Sequence, residues 1–420
     1  MDSFTYPFHL WVTIILIAVI MGGVQGACAY LVFLERKVAA YVQDRIGPNR
    51  VGPWGLFQPI ADGLKFLLKE QVIPLEVDKL FYLVAPAVAV STALIALAVV
   101  PFGPTVPPVN TPWPQTTAEA AAVAPELKEQ IAEYDAHTQA VIAPHVDIGI
   151  LFVLAVGSLA VYGVILGGWS SNNKYSFLGA LRSSAQLVSY EIPMGLSALA
   201  AVLLSNSLNL EEIIGHQAQT GWHFWYQPLA GLLFYTSVLA ENNRLPFDLP
   251  EAEQELVGGY HTEYSAMKFA LFFLGEYTHM VTTSLLVVVL FFGGWHFPWI
   301  GRPESPWVLK AAVIVGKMLV VILVTMLIRW TIPRFRFDQL MGLAWKVLIP
   351  LALGNLLCVM VVKQLAEARG WSPWVQLVAL LAASLVILAA AGYVTLLMPR
   401  SRRPVNPAAP QRVPPEAALR

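Results

Sequence analysis

Residues 241–264 read ENNRLPFDLPEAEQELVGGYHTEY and lie between two apolar runs, at about 225–240 and 266–293. A polar break between runs of membrane-crossing length is a loop joining two spans, and that reading sets the fold class. The content of the loop is more than a connection needs. Glu241, Asp248, Glu251, Glu253, Glu255 and Glu263 share it with one arginine, Arg244. Neighbouring carboxylates raise one another's pKa, so each resists ionising beside the next. Acids retained at that cost beside a bilayer point to groups that hold and pass protons.

The same alternation extends along the rest of the chain. Apolar runs fall at about 9–34, 80–102, 147–169, 185–205, 225–240, 266–293, 308–331, 345–363 and 374–398, each near the roughly 17–25 residues that cross about 30 Å of hydrocarbon. They predict an all-α polytopic membrane protein of about nine transmembrane helices, a single transmembrane domain over residues 1–398. Composition agrees: 57% of residues are hydrophobic and 13% charged, against about 25% charged in soluble domains. Net charge is −1, with no basic tract carrying interleaved aromatics, so no nucleic-acid partner is expected. Cys28 and Cys358 alone cannot ligate an iron–sulfur cluster or build a Cys-x-x-Cys zinc site. The eight histidines are scattered, with no metal-ligand or haem-ligand spacing inside one helix. No nucleophile elbow, phosphate loop or zinc-protease motif is present. No metal and no redox centre are therefore expected on this chain.

The excess of basic residues on one side orients the spans. With the N-terminus outside, inner loops and the C-terminal tail collect most of the 26 lysines and arginines. The outer side receives Lys128, Arg302, Lys310, Lys363 and Arg369, and Lys317 falls within a span. The acidic loop (241–265) and the long first loop (35–79) then share the cytoplasmic side. Met1–Leu10 lacks the positive charge of a signal peptide, and no transit peptide is read. A bacterial plasma membrane is expected, with a periplasmic N-terminus and a cytoplasmic C-terminus. The Pro- and Ala-rich stretch 103–146 reads as a periplasmic insertion loop, and the basic, Pro-rich tail 399–420 as disordered.

The first loop opens FLERKVAAYVQDRIGPNRVGP over residues 33–53, where Lys37 and Arg50 read equally well as anchors to the cytoplasmic side. Beyond it Leu56, Ile60, Leu64 and Leu68 repeat every fourth residue, with Asp62, Lys65 and Lys69 on the other face. That is an amphipathic helix lying in the membrane interface. It can wall off a space between lipid and a soluble partner, and so suits a lipophilic substrate whose head must leave the bilayer.

Within the acidic stretch, Asp248-Leu249-Pro250-Glu251 also reads as a helix start: N-cap, proline in the first turn, and a glutamate closing a capping box. That structural account covers Asp248 and Glu251 but leaves Glu253, Glu255 and Glu263 unexplained. At about 100° per residue, Asp248, Glu251 and Glu255 share one helix face. Gly258-Gly259 then breaks the helix, leaving backbone that must be buried in protein or face a watery cavity. Glu191 and Glu276 each lie some ten residues into a span, roughly 15 Å deep at 1.5 Å per residue. Buried acids are functional candidates unless local hydrogen bonds make them structural. Gly22 and Gly26 form a GxxxG pattern, which reads as helix packing.

Several long motifs resemble one family. Glu35-Arg36-Lys37, QDRIGPNRVG at 43–52, QPIADG at 58–63, NRLPFDLPEAE at 243–253 and YHTEY at 260–264 are similar to the H-type membrane subunits (mitochondrial subunit 1) of proton-pumping NADH:quinone oxidoreductase, respiratory complex I, over about residues 9–363. The resemblance implies eight family-like spans, with the ninth span and the tail added after residue 370. It implies a quinone chamber shared with the soluble iron–sulfur arm, with Glu35, Arg36, Arg45, Asp62 and Lys65 in its wall. It implies a proton link through Glu191, Glu241, Asp248, Glu251, Glu253, Glu255, Glu263 and Glu276 towards antiporter-like subunits. The substrate would be ubiquinone or menaquinone, with no cofactor held by this chain alone. NADH, FMN and iron–sulfur clusters would sit on partner subunits, and small membrane subunits and lipid would complete the surroundings. A homologous subunit of a hydrogenase or formate-linked complex would share fold and acids without quinone. A stand-alone cation/proton transporter would use the same acids, but no internal repeat supports it.

Overall fold

A computed structural model describes residues 10–101, 146–248, 257–298, 300 and 307–397. The expected insertion loop, save its last residue, and the expected tail lie outside the described residues. The helices are α1 (Leu10–Val42), α2 (Gln58–Leu68), α3 (Lys79–Ala96), α4 (Gly149–Ser158), α5 (Ala160–Ser170), α6 (Lys174–Ser205), α7 (Leu210–Thr220), α8 (His223–Tyr226), α9 (Pro228–Glu241), α10 (Ala266–Phe291), α11 (Trp307–Thr331), α12 (Phe337–Leu343), α13 (Ile349–Arg369) and α14 (Pro373–Leu397). Among the described residues, seven helical stretches are long and apolar enough to cross a membrane, α4–α5 and α12–α13 each making one. Two shorter apolar helices, in α9 and α14, complete the expected set. The chain is an all-α, multi-pass membrane protein.

Three boundaries differ from the hydropathy reading, for local reasons. Hydropathy falls at residue 34, yet α1 runs on to Val42, because Ala39 and Ala40 are good helix formers and are buried. Glu35 therefore sits on a span and not in a loop. Helix α6 starts at Lys174 because Asn173 caps it, its side chain accepting the Tyr175 N–H at 2.9 Å. A π-helical turn, Ala344–Leu348, joins α12 to α13, so one helical stretch covers 337–369; Gly370, at φ +60°, ends it in the left-handed region.

The core is built on α10, the most buried of the spans. Helix α3 is pressed between α5 and α10 through small residues. A Cβ on Gly163 would meet the Ala89 backbone nitrogen at 3.0 Å, and one on Gly275 the Ala89 carbonyl carbon at 3.3 Å. Close backbone approach of this kind drives helix association where lipid offers no hydrophobic gain. Among the described residues, nothing lies within 4 Å of a Cβ at Gly22 or Gly26, so the packing expected of that pattern is not made among them.

The first loop and the end of the acidic stretch meet at the same end of the bundle. The Val72 N–H donates to Ser265 Oγ at 3.1 Å, Tyr82 Oη donates to the Glu263 carbonyl at 2.7 Å, and the Phe66 and Phe269 rings lie 6.4 Å apart. Helix α2 leaves Ile60, Leu64, Leu67 and Leu68 exposed, the apolar face of an interfacial helix.

Candidate functional site

Helical continuation through Glu35-Arg36-Lys37 turns adjacent residues about 100° apart, and the two ends of that arc have different fates. Glu35 points inward and is 6% exposed. It accepts a hydrogen bond from Tyr277 Oη at 2.5 Å and pairs with the Arg329 guanidinium of α11. Arg36 points outward and pairs with Asp62 of α2 at 2.6 Å, while Gln58 donates to the other Asp62 oxygen at 3.1 Å. The Arg45 guanidinium donates to Gln43 Oε1 at 2.7 Å, and Lys65 lies 5.7 Å from the Phe66 ring centre. Of the five expected chamber residues, Glu35 is thus buried in the bundle, while Arg36, Arg45, Asp62 and Lys65 lie on the surface around α2.

From Glu35 a row of charged and hydroxyl side chains leads into the bundle. Arg244, 3% exposed, lies 4.4 Å above the Tyr277 ring and 3.7 Å from Glu276. Tyr260 Oη donates to the other Glu276 oxygen at 3.0 Å. One helical turn further along α10, His279 Nε2 lies 3.1 Å from Glu241 at the end of α9. Glu191, Glu241, Glu276 and His279 line one narrow cavity of about 50 Å³, together with Asn242 and Tyr260, enough for a short file of water. Among the described residues, neither Glu241 Oε2 nor His279 Nδ1 meets a hydrogen-bond partner.

The row is held rigidly. Asn242 and Thr283 hydrogen-bond reciprocally at 3.1 Å, tying the end of α9 to α10. Gln186 of α6 donates to the carbonyls of Ala240 and Phe247, both at 2.7 Å, and so fixes the turn that carries Arg244. Tyr260 is seated by Ser176, which donates to its carbonyl at 2.6 Å. In the packed cluster beside Tyr260, Tyr264 stacks on Tyr82 at 4.2 Å. Burial pushes its phenol up to about 12, so it stays protonated and donates to the Tyr82 carbonyl at 3.2 Å.

The remaining expected acids are dispersed. Asp248 pairs with Arg334 at 2.8 Å, apart from the cavity. Glu263 accepts from Asn173 Nδ2 at 2.6 Å and lines an open surface depression with Glu76 and Lys174. Glu251, Glu253 and Glu255 lie outside the described residues, as does the helix face they are expected to share with Asp248. Sequence reasoning misses Tyr277, His279 and Arg329 as members of the row. One signal is available: GEYTH at 275–279 places Glu276 and His279 three residues apart, on one face of a buried helix.

Comparison with known proteins gives a consistent picture. The family model described as NADH dehydrogenase matches residues 13–360. The first H-type NADH-quinone oxidoreductase subunit of Geobacter sulfurreducens is 44% identical over 358 residues, covering 85% of this chain and 96% of that protein. The H-type NADH-quinone oxidoreductase subunit of Protochlamydia amoebophila is 48% identical over 332 residues, covering 79% and 91%. Its counterpart in Leptospira biflexa is 47% identical over 336 residues, covering 79% and 88%.

Proposed function

The chain belongs to the NADH dehydrogenase family, and from that premise we propose that it is the membrane subunit of an NADH:quinone oxidoreductase that couples quinone reduction to proton translocation. Its surface around α2, with Arg36, Asp62, Lys65 and Arg45, would meet the soluble iron–sulfur and quinone-site subunits and close a quinone chamber. The exposed Ile60, Leu64 and Leu68 suit the isoprenoid tail of ubiquinone or menaquinone, which reaches the site from lipid. NADH, FMN and iron–sulfur clusters would be held by partner chains. The small and antiporter-like membrane subunits would dock along the bundle, in a bacterial plasma membrane with the acidic loop facing the cytoplasm.

Reducing a quinone to a quinol takes up two electrons from the soluble arm and two protons; protons drawn from side chains of the chamber would leave it more negative until they are replaced. Glu35 would respond first, since it follows directly on the Arg36 surface, accepts the Tyr277 hydroxyl hydrogen and shares its charge with Arg329. Tyr277 touches Arg244, and Arg244 faces Glu276, so a change of charge at Glu35 shifts the proton affinity of Glu276 through Coulomb coupling. Glu276, His279, Glu241 and Glu191 then exchange protons along the shared cavity. The acids of the loop itself, Glu251, Glu253 and Glu255, with Asp248 and Glu263, are proposed as the feeding side of this link.

The observation that carries the reading is the single cavity shared by Glu191, Glu241, Glu276 and His279. Glu241→Gln and His279→Gln keep size and hydrogen bonding but remove a proton-binding group. Each is expected to lower inhibitor-sensitive, quinone-dependent NADH oxidation at least about tenfold, while NADH oxidation by an artificial acceptor stays normal. Full quinone-linked turnover and proton pumping in both variants would remove the cavity from the proton path.

A further inference from the structure

At the end of the bundle opposite the acidic stretch, α7, α8, α13 and α14 surround a second cavity of about 390 Å³, whose wall includes His216, Thr220, His223, Lys363 and Glu367. The two imidazoles come from successive short helices, with Gly221, at φ +107°, turning the chain between them. His216 Nδ1 and His223 Nε2 are 3.3 Å apart. His223 is buried, and its Nδ1–H donates to the Leu290 carbonyl at 3.0 Å, which leaves the lone pair of Nε2 facing His216. Thr220 commits its hydroxyl hydrogen to the His216 carbonyl at 2.8 Å and keeps its oxygen 3.4 Å from His216 Nδ1. In this hydrogen-bonded pair His216 Nδ1 carries the shared hydrogen; with that hydrogen moved to its Nε2, three electron-pair donors converge on one point at the cavity wall.

That arrangement matches the coordination chemistry of borderline-soft cations. Two imidazole nitrogens, each about 2.0–2.1 Å from a tetrahedral ion, are held about 3.3–3.4 Å apart. A ligating histidine commonly donates its other ring N–H to a backbone carbonyl, which fixes the tautomer, as Leu290 does for His223. The nearby cation, Lys363, donates to the Leu203 carbonyl and to Asn206 Oδ1, so its charge is engaged at the end of α6, and Glu367 adds a carboxylate to the same wall. We propose that His216 Nδ1 and His223 Nε2 bind a divalent transition cation of the zinc class in this cavity, with Thr220 and water in the remaining positions. Among the described residues, no group of three or more His, Cys, Asp or Glu closes around an ion; the site is an open, exchangeable two-imidazole site. The family match ends at residue 360, so it includes His216 and His223, whereas Lys363, Glu367, Trp371 and Gln376 of the wall come after it. A bound ion would pin α7 and α8 to the end of α10 through Leu290.

The full chain, purified in detergent and stripped of metal, is titrated with Zn2+ against a chromophoric chelator and with Cu2+ under electron paramagnetic resonance. The expected result is one saturable ion per chain, with two nitrogens coupled to Cu2+. His216→Ala should weaken Zn2+ at least about tenfold and leave one coupled nitrogen, and Glu367→Gln should weaken it a few-fold. The absence of saturable Zn2+ binding to the unaltered chain would show a merely hydrogen-bonded imidazole pair and overturn the proposal; so would unchanged binding in His216→Ala. Should that variant not fold, diethyl pyrocarbonate labelling of the unaltered chain decides. Protection of His216 by Zn2+ but not Mg2+ is expected, and equal labelling with either ion would overturn the site.

Discussion

The two ends of the bundle bury charge to opposite effect. At the end that carries Tyr260 and Glu263, ions meet other titratable or mobile side chains: Glu35 with Tyr277 and Arg329, Arg244 with Glu276, Glu241 with His279. At the far end, half-buried lysines meet mainly backbone. Lys317 donates to the carbonyls of Phe292, Gly294 and His296 at 2.6, 3.0 and 2.6 Å, closing the C-terminus of α10, and Lys363 does the same for α6 through Leu203 and Asn206. A helix C-terminus favours a cation, and its carbonyls cannot titrate, so each lysine has one stable arrangement. Carboxylates that face one another, an arginine and an imidazole have several protonation states of similar energy. Desolvating an ion therefore fixes a helix end in one place and, on the proposed function, sets up a chain of exchangeable protons in the other. Lys317, which the sequence places within a span, belongs to the first kind.

Breaking the titratable end should have the largest effect. Arg329→Ala leaves Glu35 buried with only Tyr277, and removing one partner of a buried pair costs about 3–5 kcal/mol. Thermal unfolding of the purified chain should show that loss. The double variant Glu35→Gln with Arg329→Met removes both charges and should recover most of the stability, yet quinone-linked turnover should stay low. Normal turnover in the double variant would make this cluster as structural as the lysine caps, and the contrast between the ends would fail.

Breaking the far end should show the reverse pattern. Lys317→Met removes three charge-assisted bonds to carbonyls and exposes the end of α10, for a loss of about 2–4 kcal/mol. Turnover per folded molecule should be unchanged, because no member of the Glu191–Glu276 cavity is touched. A variant as stable as the parent but slower in turnover would move Lys317 into the proton path.

Much of this division is legible in the sequence and part is not. The spans follow from hydropathy, and α2 follows from its four-residue repeat. Depth alone marks Glu191 and Glu276. Pairings such as Glu35 with Arg329, or Tyr277 with Arg244, join residues from separate helices, and no local pattern carries that information. Hydropathy drops after residue 34 and so places Glu35 in a loop, whereas the helix is continued by propensity and by burial of Ala39 and Ala40. His216 and His223 escape a search for spacing within one helix because they lie on different helices; Gly221, which brings them together, looks like any other turn glycine.

The smallest expected effect sharpens the comparison at one residue. His296 follows α10 and lends its carbonyl to Lys317. Burial, and then the charge of Lys317, hold its imidazole below the ordinary value of 6.5. The folded chain therefore binds this proton less readily than the unfolded chain. Stability is fully present above about pH 6.5 and is lost as the pH falls from there through the depressed folded value, with a slope of at most about 1.4 kcal/mol per pH unit for one proton. In Lys317→Met the repulsion is gone and only burial remains, so the variant should be less stable than the parent at pH 7.5 but lose less on acidification. Denaturation of the two proteins at pH 7.5 and 5.5 measures this. A gap between them that stays constant across that range would mean that Lys317 acts on the carbonyls alone, and that no titrating group at the far end senses it.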